Sequence, residues 1–290
     1  MEIQRTWAPA SRYPFELVMR FLIAALLGSV VAVYAGGVCA ETPGDGSRHT
    51  IEFGVGMEYL GSRDDIGSPM RYEGYAYPLR LAYSRANARG FHGVEASFSH
   101  FGFNSGHLKA AMAEGENHQA EPTMARLSYG YWRHLHRGGR LDLFAGAALN
   151  TLVFFRSYQY DVNQIGSVET WDGLGSLDVS ARLGLKLTDR QRLHGRVSLP
   201  LAGYVLRPSY SVRGDERLQL IREQWRVITD GQWASWGRMQ RIEAGLGYGV
   251  DITQSFGLGA AYHFAFFRVT HPMVSRGLTN RWSVSGSWSF

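Results

Sequence analysis

Two short segments contain side chains of the kinds that hydrolases and metal sites use. Ser99 and His100 are neighbours in the chain, and a histidine that takes the proton of a serine makes that serine nucleophilic. On a β-strand, however, adjacent side chains point to opposite faces, so these two cannot pair directly. His134 and His136 could offer two imidazoles to a metal ion, but no further group of ligands accompanies them. We therefore predict no catalytic residue, no metal site and no cofactor.

A larger set of ionisable residues falls on the polar face of segments in which apolar and polar side chains alternate. Its acids are Glu52, Glu58, Glu95, Asp142, Asp178, Glu243 and Asp251, and its bases are Arg80, Arg126, Arg182, Lys186, Arg196, Arg241 and Arg281. Charges removed from water are tolerated only when they are paired and hydrogen-bonded. The equal numbers of acids and bases predict a lumen charge network that plugs the interior of a barrel. The alternative is a narrow polar channel lined by the same residues.

The alternation that defines this polar face is clearest in residues 176–187. One side carries leucine, valine and alanine, and the other carries serine, aspartate, arginine, glycine and lysine. Side chains alternate with a period of two along a strand, so the pattern predicts a β-strand with one apolar face. Pro78 and Pro200 interrupt two weaker segments, since proline lacks the N–H that a sheet requires. The ten predicted strands are 50–59, 75–84, 91–101, 123–133, 141–156, 176–187, 193–206, 240–252, 256–269 and 278–290.

The connections between these strands alternate in length along the chain. The long ones are 60–74, 102–122, 157–175, 207–239 and 270–277, and the short ones are 85–90, 134–140, 188–192 and 253–255. Long loops on one side and short turns on the other are typical of transmembrane barrels, in which the apolar face of each strand contacts lipid. We predict an all-β fold: an antiparallel up-and-down barrel of about ten strands, with long extracellular loops and short periplasmic turns. The apolar residues within 207–239 leave an alternative of twelve strands.

The end of the chain supports the same architecture. Trp282, Val284, Gly286, Trp288 and Phe290 share one face of the last predicted strand. This strand resembles the C-terminal strand of the bacterial outer-membrane β-barrel superfamily, in which alternating apolar residues end in a terminal phenylalanine. The resemblance implies a location in the outer membrane of a Gram-negative cell envelope. It also implies that Trp288 and Phe290 form an assembly signal, and that lipid A and other outer-membrane lipids, periplasmic chaperones and the barrel assembly machinery are partners.

Aromatic residues collect toward the predicted strand ends, as in the girdles at the two interfaces of a membrane barrel. The outer girdle is predicted to contain Tyr75, Tyr77, Phe101, Phe155 and Phe266, and the inner girdle Tyr83, Tyr131, Phe256, Trp288 and Phe290.

Two classes of outer-membrane enzyme are defined by short sequence motifs. The chain is similar to the omptin proteases in size and strand number, but these carry paired aspartates and an Asp-x-His. Here Asp64 and Asp65 are adjacent and no Asp-x-His occurs, so we interpret the two aspartates as solvated loop charges. Outer-membrane phospholipases and lipid A deacylases carry a His-x-Ser, which is also absent from the sequence.

The first forty residues have the pattern of a targeting segment. Residues 21–34 form an apolar run preceded by Arg20, and small residues follow near Ala40. We predict a cleaved signal peptide at 1–40, with Met19 as an alternative start, and a barrel domain at 41–290. The single cysteine, Cys39, falls in the signal, so the barrel has no disulfide.

The formal charge of +5 is spread over single basic residues interleaved with acids rather than collected in a stripe, so we predict no nucleic-acid partner. The sequence thus predicts a non-enzymatic outer-membrane barrel, either structural or acting in surface recognition through its extracellular loops. A narrow, porin-like passive channel is the first alternative, and an enzyme that hydrolyses lipid or peptide is the second. The sequence leaves the oligomeric state unknown.

Overall fold

The computed structural model describes residues 48–65, 68–87, 89–104, 119–160, 166–207, 212–213, 231–271 and 273–290. The signal segment predicted at 1–40 lies outside these residues. The described strands are β1 (Arg48–Asp64), β2 (Ser68–Ala76), β3 (Leu79–Ala86), β4 (Gly90–His100), β5 (Phe103–Asn104), β6 (Gln119–Gly138), β7 (Leu141–Tyr160), β8 (Gly166–Lys186), β9 (Gln191–Leu206), β10 (Val212–Arg213), β11 (Gln232–Ala234), β12 (Met239–Asp251), β13 (Phe256–Val269) and β14 (Ser275–Ser289). Within the described ranges, no helix has the length and apolar character needed to cross a membrane.

The strands form one antiparallel sheet that closes on itself. Neighbouring long strands pair antiparallel around the wall, and β1 pairs with β14, from Thr50 opposite Ser289 to Asp64 opposite Ser275. β2 and β3 both pair with β1 and together make one strand of the wall, as β4 and β5 do against β6. The predicted ten-stranded up-and-down barrel is confirmed, and β10 and β11 are two short extra strands.

The two prolines lie where the wall is irregular. Pro78 separates β2 from β3. Pro200 lies in β9 opposite Asp178, next to a bulge that leaves Leu201 unpaired. Before the bulge Ser198 faces the interior, and after it the buried residues are Gly203 and Val205, so the inward set of β9 shifts from even to odd numbers. An extra residue in one strand has this effect, because side chains alternate between the two faces.

Several strands extend farther than the sequence predicted. The connection predicted at 60–74 is mostly strand, since β1 continues to Asp64 and β2 begins at Ser68. β7 and β8 contain 20 and 21 residues and end at short turns on the side of the chain termini. A tilted strand crosses a bilayer with ~9–11 residues. The remaining ten or so residues rise ~3.3 Å each along a strand tilted by ~45°, so they carry the wall roughly 20 Å beyond the membrane on the other side.

The outside of the barrel is an apolar belt. Its exposed side chains include Ile51, Phe53, Val55, Met57, Leu79, Leu81, Leu149, Leu177, Val179, Leu183, Val197, Leu199, Leu246, Leu258, Trp282, Val284 and Trp288. Monomeric soluble proteins rarely expose so continuous an apolar surface to water. A closed barrel has every backbone group paired within the wall, which is the condition for crossing hydrocarbon with strands. One residue of the predicted outer girdle was placed wrongly: Phe101 is fully buried inside the barrel.

The belt predicts a gradient of tolerance to charge along β8. Val179 is 48% exposed and lies near the middle of the membrane stretch, whereas Leu187, which is 39% exposed, lies just past the end of the strand on the side of the chain termini. Val179→Arg should lower the free energy of unfolding by about 2–4 kcal/mol and Leu187→Arg by less, because the cost of arginine falls toward the interfaces. Ser180 faces the lumen and its hydroxyl donates to the Val197 carbonyl at 3.1 Å, so Ser180→Ala should cost about 1 kcal/mol.

The measurement is reversible denaturant titration in lipid bilayers. A loss at Ser180→Ala as large as that at Val179→Arg would mean that the two faces of β8 are exchanged.

Candidate functional site

The interior of the barrel contains the ionisable residues that the sequence placed there. Their centre is Glu58 on β1, which is fully buried. Arg126 donates to one carboxylate oxygen of Glu58 at 2.6 Å, and the Ser99 hydroxyl donates to the other at 2.5 Å. A carboxylate in this position is stable because it is paired and its oxygens accept hydrogen bonds.

Two further arginines reach the centre of the barrel from β3 and β14. Arg80 bridges Glu52 and Glu95, and its Nε lies 3.0 Å from Glu95 Oε1. Arg281 donates to the same Glu95 oxygen at 3.1 Å and to the Ser97 hydroxyl at 3.1 Å. These contacts therefore link four neighbouring strands, β4, β3, β1 and β14, along one side of the lumen.

A third group of pairs lies on β9, β12 and β13. Arg241 donates to Glu243 on its own strand and to the Ser176 hydroxyl at 3.0 Å. Arg196 lies 3.5 Å from the other oxygen of Glu243, and His263 lies 3.9 Å from it. Glu243 thus joins three neighbouring strands.

The other predicted members of the network have different surroundings. Asp178 accepts a hydrogen bond from Asn150 at 2.7 Å, and Asp251 pairs with the exposed Arg192 at 3.2 Å. Asp142, Arg182 and Lys186 line a cavity in the periplasmic half of the lumen. None of these three makes an ion pair with a residue that the structure describes.

Above the ion pairs, toward the outside, the lumen is filled by an apolar layer that the sequence reasoning missed. Its members, each at most 7% exposed, are Leu60, Tyr72, Ala76, Phe101, Met124, Leu152, Phe154, Leu174, Val205, Ala234, Met239, Phe267 and Val269. Most of them continue the inward alternation of their strands past the charged residues. Extending each alternation beyond the predicted strand ends was the signal that could have found them.

Beyond the apolar layer lies a second set of ion pairs, here called the outer cluster: Asp64, Arg156, Asp172 and Arg207, with Thr170 and Ser275. Arg156 donates to Asp64 at 2.9 Å and to Asp172 at 2.5 Å. Arg207 binds the same two acids, at 2.9 Å to Asp172. The interpretation of Asp64 as a solvated loop charge is wrong, because its carboxylate is fully buried between two arginines. Asp65, in contrast, pairs with the half-exposed Arg63.

The two histidine segments do not assemble a reactive centre. Ser99 points inward to Glu58, whereas His100 is exposed and its Nδ1 lies 2.8 Å from the Thr123 hydroxyl. A register shift separates His134 from His136 in β6, and the His134 ring packs on Phe144. Across the described ranges, no group of three or more histidine, cysteine or acidic side chains could hold a metal ion.

The residues of the predicted assembly signal lie at the seam of the barrel. Trp288 on β14 is exposed to the lipid side and is paired with Ile51 and Phe256 on its two neighbours. The backbone of Phe290 exchanges two hydrogen bonds of 3.0 Å with His49, whose ring stacks on that of Phe290.

The two classes of ion pair predict different costs of substitution. Arg156 is 1% exposed and Arg192 is 48% exposed. Arg156→Ala leaves Asp64 and Asp172 to a single arginine, and should lower the free energy of unfolding by about 3–5 kcal/mol. Arg192→Ala removes the same charge from a pair at the periplasmic rim and should cost about 0–1 kcal/mol. Denaturant titration in bilayers compares the two, and equal losses would show that the outer cluster is as wet as the rim.

Comparisons with known proteins find a likeness in fold alone. No family model matches the sequence, and no curated protein matches it. Among solved structures, the chain is similar to the outer membrane protease OmpT from Escherichia coli, with a TM-score of 0.47, 8% identity, and coverage of 87% of this chain and 98% of that one. Neisserial surface protein A has a TM-score of 0.32 at 10% identity, with coverage of 83% and 97%. Ail of Yersinia pestis has a TM-score of 0.31 at 10% identity, with coverage of 83% and 98%.

The closed wall and the apolar belt are the physical grounds for the location of the chain. Backbone pairing around the whole barrel satisfies the condition for crossing hydrocarbon, and the belt supplies the surface that lipid covers. The chain is a membrane-spanning β-barrel.

Proposed function

We propose that this chain is a sealed, non-enzymatic barrel that acts at the outer surface of the cell, in surface recognition, rather than through its lumen. The observation that carries the proposal is the apolar layer, which fills the lumen between the two sets of ion pairs. Large side chains such as Phe101, Phe154 and Phe267 meet there from different sides of the wall and are almost fully buried.

The apolar layer argues against the channel alternative. An ion that crosses the barrel would have to leave water and pass side chains that offer it no hydrogen bond, which costs many kcal/mol. Hydrophobic constrictions close pores by excluding water, even where the pore is wider than an ion. Most of the charged residues on each side of the layer form ion pairs on that same side, and the layer separates the two sets. They therefore do not form a continuous polar path.

The same contacts argue against the hydrolase alternative. A catalytic aspartate or serine must be free to act on substrate or water. Asp64 and Asp172, the two acids of the outer cluster, are each bound by Arg156 and Arg207. Ser99 is fully buried and donates to Glu58. These carboxylates and this hydroxyl are held in ion pairs and hydrogen bonds, so they are not free to react.

The part of the barrel that projects beyond the membrane is built as a rigid support. The outer cluster connects β1, β7, β8 and β14 with Arg207 at the end of β9, through side chains that are nearly all inaccessible to water. Five strands are thereby braced at the base of the projecting part, just beyond the membrane. A rigid scaffold that carries loops is the arrangement by which proteins commonly present binding residues.

The sealed lumen predicts an electrical result. Purified barrel in a planar lipid bilayer should show no steady conductance, because the apolar layer excludes water and ions. A variant with Phe154→Ala and Phe267→Ala removes two large side chains whose ring centres lie 6.0 Å apart. It should conduct more often than the wild type. A steady, salt-dependent current through the wild-type barrel would overturn the seal and favour the channel.

Surface recognition predicts that the projecting strands are needed for attachment. Ser157 and Glu169 face each other across β7 and β8, so residues 158–168 can be replaced by Asn-Gly, the preferred two-residue hairpin turn. Cells that produce wild-type barrel should attach to immobilised extracellular matrix more than cells that lack it, and the trimmed barrel should lose the difference. The trimmed barrel must still migrate as a folded, heat-modifiable species on gels. Equal attachment by wild-type and trimmed barrels would contradict recognition through this hairpin.

A further inference from the structure

The periplasmic half of the lumen contains a cavity that the sealed barrel leaves without a role. Its volume is about 420 Å³, within the range of ~300–1,000 Å³ that is usual for small-molecule sites. It begins below Arg80 and Glu95 and continues to Lys186 and Arg192, near the periplasmic turns. Because the apolar layer closes the outer side, a solute in this cavity can enter and leave only by the periplasmic end.

Most of the charges that line the cavity already have partners. Arg80 binds Glu52 and Glu95, and Arg281 binds Glu95. Arg192 and Arg196 bind acids on β12, Asp251 and Glu243.

The remaining lining charges are Asp142, Lys186 and Arg182. Asp142 and Lys186 lie at the periplasmic ends of β7 and β8, where water reaches both and their opposite charges offset each other. Of the arginines that line the cavity, Arg182 alone makes no ion pair with a residue that the structure describes.

Arg182 is held by aromatic rings instead of a carboxylate. The guanidinium carbon lies 3.6 Å from the centre of the Trp132 ring and 4.7 Å from that of Phe91. Stacking uses the flat faces of the guanidinium and leaves its N–H groups, which lie in the plane, available to an acceptor. The Nε of Arg182 is buried without a hydrogen-bond partner among the described residues, which is costly for a charged donor.

We propose that Arg182 is the anchor of a binding site for a small phosphate monoester that enters from the periplasm. A phosphate presents several oxygens to the in-plane donors of an arginine and can accept two parallel hydrogen bonds. It would also neutralise the unpaired charge of Arg182. The aromatic rings around Arg182 fix the orientation of the guanidinium before the ligand arrives, which lowers the entropic cost of binding.

The test uses the purified full-length barrel in detergent micelles and isothermal titration calorimetry with phenyl phosphate as the probe. Wild-type barrel should bind the probe, and Arg182→Gln should raise the dissociation constant at least tenfold. Arg190→Gln, in the turn between β8 and β9, removes the same charge from an exposed site and should leave the constant within twofold of the wild type. Benzoate, a carboxylate of similar size, should bind more weakly than phenyl phosphate.

A second variant separates loss of binding from loss of folding. Ser84 lines the cavity on β3, near its periplasmic end, and Ser84→Trp should block the probe while leaving Arg182 in place. Heat-modifiable migration on gels reports whether each variant is folded. Absence of binding by the wild type, equal binding by Arg182→Gln, or equal losses in Arg182→Gln and Arg190→Gln would each overturn the proposal.

Discussion

The interior of this barrel depends on one constraint: a charge that leaves water needs a partner of opposite sign within hydrogen-bonding distance. Outside the cavity, the ten-stranded wall encloses a lumen too narrow for bulk water to screen inward-facing arginines and carboxylates. Each of Glu58, Glu95 and Glu243 therefore receives at least one arginine, and most of those arginines come from a strand that is distant in sequence. These contacts join strands up to three positions apart around the wall, so they brace it as well as neutralising charge.

The apolar layer divides the lumen into two parts with different relations to water. On its outer side the outer cluster is nearly inaccessible, and on its periplasmic side the ion pairs border an open cavity. Paired charges next to a water-filled cavity are stabilised less by mutual attraction and more by solvation, because water raises the local dielectric constant. The same types of residue therefore serve as a brace at one end of the barrel and as the wall of a ligand-sized space at the other.

Much of this arrangement could be predicted from the sequence, because a strand alternates its side chains with a fixed period. That period identified the ten strands of the wall and the lumen side of residues such as Glu58 and Arg182. It could not identify contacts, since these depend on how far each strand is staggered against the next around the closed barrel. Asp64 and Arg156 are separated by 92 residues, and only the stagger brings them together. The bulge at Leu201 changed the alternation within β9, and the length of the projecting strands was hidden because their residues resemble polar loops in composition.

The seam between β1 and β14 makes the order of assembly a matter of chain entropy. Arg48–Asp64 pairs with Ser275–Ser289, so the wall closes only when segments more than two hundred residues apart have met. Joining the ends of a flexible loop of that length costs on the order of 5 kcal/mol beyond a constant, whereas a hairpin such as β12–β13 closes over a short turn. Non-local pairing of this kind slows folding. Until the seam forms, both edge strands present unpaired N–H and C=O groups to any other strand nearby. During biogenesis the risk of aggregation is therefore concentrated at the first and last strands of the chain.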